Sequence, residues 1–135
     1  MSNVYAYLYF NGNCREAMTF YQQCLGGELE LDVIKDSPAA AQLPPEVQDQ
    51  IMHAGLRNGN LVLMASDMCG QGEVAMGGPV VLCYSASDEE DARRCFAKLS
   101  AGGKVTEPLG KQFFGLYGSL TDKYGLKWMV HCDIQ

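Results

Sequence analysis

The sequence predicts an α+β fold in which two βαβββ modules follow one another and form a curved mixed sheet. Three observations carry this. The pairs Gly26-Gly27 and Gly102-Gly103 lie 76 residues apart, as do Phe20 and Phe96. Each glycine pair ends a stretch of helical apolar spacing that opens on a capping signal. A strand-type run precedes each helix, and strand runs with turn signals follow it, in the same order both times.

The first strand is the β-rich run 4–10, with three tyrosines, broken by Asn11-Gly12-Asn13. A helix is expected over 14–25, capped by Asn13 with Glu16 three residues on. Its apolar positions Ala17, Phe20, Tyr21, Cys24 and Leu25 share one face. Residues 29–34 form a second strand. The stretch 36–50 holds three prolines and reads as a long loop. Strands 51–56 and 61–66 follow, joined through Asn58-Gly59, a strong hairpin signal. In the second module, 80–85 is a strand. Ser87-Asp88-Glu89-Glu90 is a capping box, and the helix it opens runs to about Ala101. Strands are expected at 104–109, 113–120 and 126–132, with a turn at 121–125. The glycine-rich stretch 68–78 reads as the linker. The organisation is one domain over 1–135, with module one at about 1–67 and module two at about 79–135. One such module covers a single face of its sheet with a helix. Two together are expected to enclose a cleft, the usual place for a ligand.

Composition removes several functions. The net charge is −6 with scattered Lys and Arg, which does not suit a phosphate backbone or an acidic membrane surface. No apolar run approaches the roughly 20 residues of a membrane span. The opening MSNVYAYLYFNGN has neither a basic leader region nor a cleavage site, so a cytoplasmic location is expected. The six cysteines form no C-x-x-C pair and no zinc-ribbon spacing, and read as free, mostly buried thiols.

Several segments, taken together and in order, carry a resemblance. They are residues 7–13, 17–21 with Leu25-Gly26-Gly27, His53-Ala54, Ser66-Asp67-Met68, and 113–115 through 121–129. The chain resembles the vicinal oxygen chelate superfamily, which includes glyoxalase I, extradiol dioxygenases and fosfomycin- and bleomycin-resistance proteins. More narrowly it resembles the PhnB-like branch. The resemblance spans nearly the whole chain. It implies the glyoxalase/bleomycin-resistance-like fold and a homodimer, without implying one activity. Relatives sometimes carry a ubiquinone-methyltransferase name, but no glycine-rich cofactor loop follows the first strand here.

Strand alternation assigns the open face. Ala6, Leu8 and Phe10 suit the helix side, which leaves Tyr5, Tyr7 and Tyr9 on the cleft side, where a ring with a polar tip fits a half-wet cavity. Packing at a dimer seam or exposure to solvent is the alternative. With Asn58-Gly59 as a two-residue loop, His53 falls opposite Met64. His53, Gly55, Val62, Met64 and Ser66 then share a row. Val81, Cys83 and Ser85, and Lys127, Met129 and His131, are the matching rows of module two.

The resemblance also implies where a metal would sit. Metal-dependent members present His or Glu on the first, fourth, fifth and eighth strands. The corresponding positions are Tyr5, Met64, Pro79 or Val81, and Met129, poor donors for a hard divalent ion. No metal or cofactor is therefore expected. His53 is the best candidate for a catalytic base or a ligand contact, against the reading of a satisfied histidine in a sheet. His131 is expected to be exposed, Asp67 to cap the following turn, Asp122 to serve its own turn, and Trp128 to be core. A nucleophilic Cys83 paired with His53 lacks an orienting third group. The expected function is metal-independent binding of an aromatic or moderately apolar small molecule. Its contacts are Tyr5, Tyr7, Tyr9, His53, Val62, Met64, Ser66, Cys83 and Met129, and the 36–50 loop could close over it. The alternatives are a lyase, isomerase or dioxygenase with an atypical metal site, and a module that serves dimerisation alone.

Overall fold

The computed structural model describes residues 2–133. The chain divides into two units, one up to Ala75 and one from Met76 on. The first unit runs β1 (Ala6–Phe10), α1 (Cys14–Leu25), β2 (Glu28–Val33), β3 (Ile51–Asn58) and β4 (Leu61–Asp67). The second runs β5 (Leu82–Ser85), α2 (Glu89–Ser100), β6 (Lys104–Gln112), β7 (Gly115–Thr121) and β8 (Lys127–Cys132). Each module forms its own four-stranded mixed sheet. The orders are β1-β4-β3-β2 and β5-β8-β7-β6, with the first-named pair parallel and the others antiparallel.

In the first unit α1 buries Ala17, Met18, Phe20 and Tyr21 on the sheet face built from Leu8, Phe10, Leu56, Leu63 and Ala65. In the second, α2 sets Ala92, Cys95, Phe96 and Leu99 against Leu116, Leu120, Trp128 and Val130. Each fully buried leucine in these cores contributes about 1.5–3 kcal/mol relative to an exposed one. Trp128 is core, as expected. Its indole Nε1 donates to Asp122 at 2.8 Å, and the other oxygen of that carboxylate accepts from the Tyr124 and Leu126 amides.

The helix starts differ from the sequence expectation. Asn13 makes no side-chain cap bond. Asp67, only 3% exposed at the end of β4, reaches under α1 instead. Its Oδ1 accepts from the Gly12 and Cys14 amides at 3.0 and 2.9 Å, and its Oδ2 accepts from the Ile51 amide at 2.9 Å. One carboxylate thus satisfies an orphan helix amide and ties the ends of β1, β3 and β4 together. It does not cap the turn that follows it. In α2 the box is shifted by one residue. Asp88 is the cap and accepts from the Asp91 amide at 2.8 Å, while the Asp91 carboxylate returns to the Ser87 amide at 3.1 Å.

Strand limits also move. Val4 is almost wholly exposed and β1 begins at Ala6, while Val80 and Val81 are exposed ahead of β5. β6 extends to Gln112 with two irregularities around Pro108, which has no amide for the ladder. Phe113 and Phe114 therefore lie in the turn, and β7 starts at Gly115. A 3-10 turn at Ile34–Asp36 leads into the 36–50 loop, which contains two more, at Ala40–Gln42 and Pro45–Val47. It is stitched by the Gln48 side-chain amide, which donates to the carbonyls of Ala40 and Leu43 at 2.9 and 3.0 Å. After β4, the Asn11 side chain clasps the Val74 backbone through two 2.8 Å hydrogen bonds.

Candidate aromatic–histidine site

The open face of the first sheet follows from its register. Tyr7 is level with Met64 and Tyr9 with Ser66 across β1 and β4. Across β3 and β4, Gly55 is level with Met64 and Ala54 with Ala65. His53 therefore comes level with Ser66 rather than Met64, a correction of two residues. The cause is the turn: Asn58 stays in the ladder opposite Leu61 and donates its side-chain amide to the Leu25 carbonyl at 2.9 Å. Gly59 then takes the first loop position, with φ +60°, which a type II′ turn reserves for glycine. A slip of two residues preserves the alternation, so the expected row keeps its face.

Tyr5, Tyr7 and Tyr9 are each about half exposed, as this face requires. Tyr7 reaches across β4, and its hydroxyl lies 3.2 Å from His53 Nδ1. The Tyr7 ring centroid is 5.3 Å from that of Tyr9 and 5.8 Å from that of His53. Val62, Met64 and His53 are half-buried and Ser66 is buried. Sequence reasoning assigned these residues to one face but missed the Tyr7–His53 bond, because no spacing rule reports a contact that skips a strand. It also missed the acidic row beside them. Glu30 pairs with Gly55 and Asp32 with His53, and strand alternation alone makes this row readable.

On the second sheet Cys83 is level with Met129, and Ser85 with His131. Val81, Thr106, Tyr117, Ser119, Lys127 and Met129 surround a concavity of about 330 Å³. The Ser119 and Thr106 hydroxyls are 2.7 Å apart, and Lys127 Nζ donates to the Gly78 carbonyl at 3.0 Å. His131 is half-buried rather than exposed. It stacks on Phe114 at 6.2 Å and lies 3.4 Å from the Asp133 carboxylate. Although Cys83 is exposed, partial desolvation by its neighbours pushes its thiol up, away from the thiolate that a nucleophile needs.

The superfamily's metal positions can be tested by donor chemistry. Tyr5, Met64, Val81 and Met129 supply a phenol, two thioethers and an isopropyl group. Pro79 supplies no donor. This set does not fit a hard divalent ion. Among the described residues, no three His, Cys, Asp or Glu side chains converge in a metal-holding group.

A family model described as 3-demethylubiquinone-9 3-methyltransferase matches residues 2–131. The chain is 30% identical over 138 residues to protein YjdN of Escherichia coli K12, covering 93% of this chain and 91% of that protein. Protein PA1353 from Pseudomonas aeruginosa has a crystal structure that superposes with a TM-score of 0.89 at 38% identity, covering 98% of each chain. The PhnB protein from Bacillus cereus, a putative 3-demethylubiquinone-9 3-methyltransferase by its name, gives 0.76 at 24% identity over 97% of this chain and 99% of that one. A glyoxalase/bleomycin resistance protein/dioxygenase family enzyme from Burkholderia phytofirmans gives 0.67 at 13% identity over 96% and 97%, a likeness of fold alone. With two βαβββ modules in place and these matches spanning almost its full length, the chain belongs to the PhnB-like family of the vicinal oxygen chelate superfamily.

Proposed function

We propose that the chain is a metal-independent small-molecule-binding protein whose ligand is aromatic or moderately apolar and rests on the open face of the first sheet. The observation that carries this reading is the Tyr7–His53 hydrogen bond set between exposed tyrosine rings and the Met64 thioether. Such a face offers apolar contact with a few oriented polar groups, the usual make-up of a ligand site. Tyr5, Tyr9, Val62 and Ser66 extend it. Cys83 and Met129 lie level with each other on the second sheet. Methyl transfer has less support. In the turn after β1, the Gly12 and Cys14 amides are already taken by Asp67.

The six free thiols support a reducing, cytoplasmic setting. The fully exposed Phe113 beside Phe114 supports a homodimer, which sedimentation would test. Binding is tested by a thermal-shift panel of antibiotics, quinones, α-keto thioesters and S-adenosylmethionine. We expect a stabilising hit that Met64→Ala or Tyr7→Phe weakens. Stoichiometric Zn, Ni, Mn or Fe in the purified protein, lost with His53→Ala, would overturn the reading in favour of a metal-dependent enzyme.

A further inference from the structure

The Tyr7–His53 contact makes the two ring nitrogens of His53 unequal. Nδ1 lies 3.2 Å from the Tyr7 hydroxyl. A phenol O–H is a strong donor and an imidazole lone pair a strong acceptor, so the favoured polarity runs from the hydroxyl to Nδ1. A neutral imidazole carries one N–H, and this bond leaves it on Nε2. The half-buried ring shares its face with Tyr7, Tyr9 and Met64. The His53 ring makes one hydrogen bond to the described residues, through Nδ1, so Nε2–H is available to a ligand.

The neighbouring charges narrow the choice of ligand. Asp32 is the cross-strand partner of His53, and Glu30 is next on the same row. Two carboxylates one strand away disfavour an anion beside the ring.

We infer that Tyr7 is a positioning residue that holds His53 in the Nε2–H tautomer, so that His53 donates to the neutral carbonyl oxygen of an aromatic ligand. This deepens the binding reading above and rests on it. The opposite tautomer would offer a lone pair, and with Asp32 and Glu30 nearby would select an amine instead.

The test uses the full chain, with nitrogen NMR of the neutral His53 imidazole and three matched probes: acetophenone, benzoate and benzylamine. The free protein should show the proton on Nε2. Tyr7→Phe, which keeps the ring, should give a mixture of tautomers with the amide spectrum otherwise preserved. Acetophenone should shift the Nε2 resonance and bind at least about fivefold more tightly than benzoate or benzylamine. Tyr7→Phe should weaken it about threefold to tenfold, the range of one hydrogen bond. A proton on Nδ1, a tautomer unmoved by Tyr7→Phe, or a preference for benzylamine would overturn the inference while leaving binding intact. If no probe moves the Met64 methyl or Tyr9 ring signals, the binding reading itself fails and the ligand class falls with it. The tautomer is decided separately, in the free protein.

Discussion

Removing the Asp67 carboxylate should cost the first unit more than any other single polar change. Its two oxygens accept three backbone N–H groups, from Gly12, Cys14 and Ile51, at 2.9–3.0 Å. Asp67→Ala leaves all three without an acceptor, the last two of them buried. The Gly12 and Ile51 hydrogen bonds to a charged acceptor are worth about 1.5–3 kcal/mol each, and the lost helix cap at Cys14 about 1 kcal/mol. The expected loss is about 4–7 kcal/mol, a large share of the roughly 5–15 kcal/mol of a typical domain. Asp67→Asn keeps one oxygen for Gly12 and Cys14 but turns an amino group toward the Ile51 N–H. We expect it to cost about 2–3 kcal/mol. Trp128 belongs to the second unit, so its fluorescence is the wrong probe. Hydrogen exchange at the three amides reads the first unit directly, while far-UV circular dichroism in urea follows the backbone of the whole chain. If Asp67→Asn stays within about 0.5 kcal/mol of the parent and the Ile51 amide keeps its protection, the reasoning is wrong.

Two glycines with positive φ should respond differently to alanine. At Gly27 a Cβ would collide with the Arg57 carbonyl oxygen, whereas at Gly59 it would meet nothing within 4 Å. Gly59→Ala should cost about 1–2 kcal/mol and Gly27→Ala clearly more, by urea denaturation. Asp122→Ala should release the Trp128 indole and shift its emission to the red, with a loss of about 2–4 kcal/mol. Burial, then the Asp67 carboxylate, pushes the Cys14 thiol from 9.0 up to about 12. The native state therefore holds its proton where the unfolded chain does not. This contribution is complete below pH 9 and is lost toward pH 12, so Cys14→Ala should flatten the fall in stability over that window. Cys83 is exposed and Cys14 fully buried. Alkylation should reach Cys83 first and Cys14 only on unfolding.

The fold was legible wherever a local signal had one solution. α1 spans Cys14–Leu25 as its apolar spacing and the Gly-Gly stop predict. What was not legible depended on partners far along the chain. Asn13 has the right chemistry for a cap, but a carboxylate from the end of β4 fills that role. Asn58-Gly59 marks a hairpin correctly, yet the turn moves by one residue because Asn58 bonds to Leu25. Phe113 and Phe114 look like strand residues but sit in a turn, since the irregularities around Pro108 lengthen β6 past its expected end. The open face survived these errors because alternation depends only on parity. The Tyr7–His53 bond did not appear, because it joins two strands separated by a third.

The stitching by Gln48 changes what the 36–50 segment can do. Its backbone order is already set when the unit folds, with Ile34 and Val47 anchored in the core. Freezing a slack stretch of this size during association would cost roughly 1–2 kcal/mol for every residue immobilised. A prestructured flap carries no such charge on affinity. With Val47 held in the core, a guest meeting this segment would encounter a shape already made.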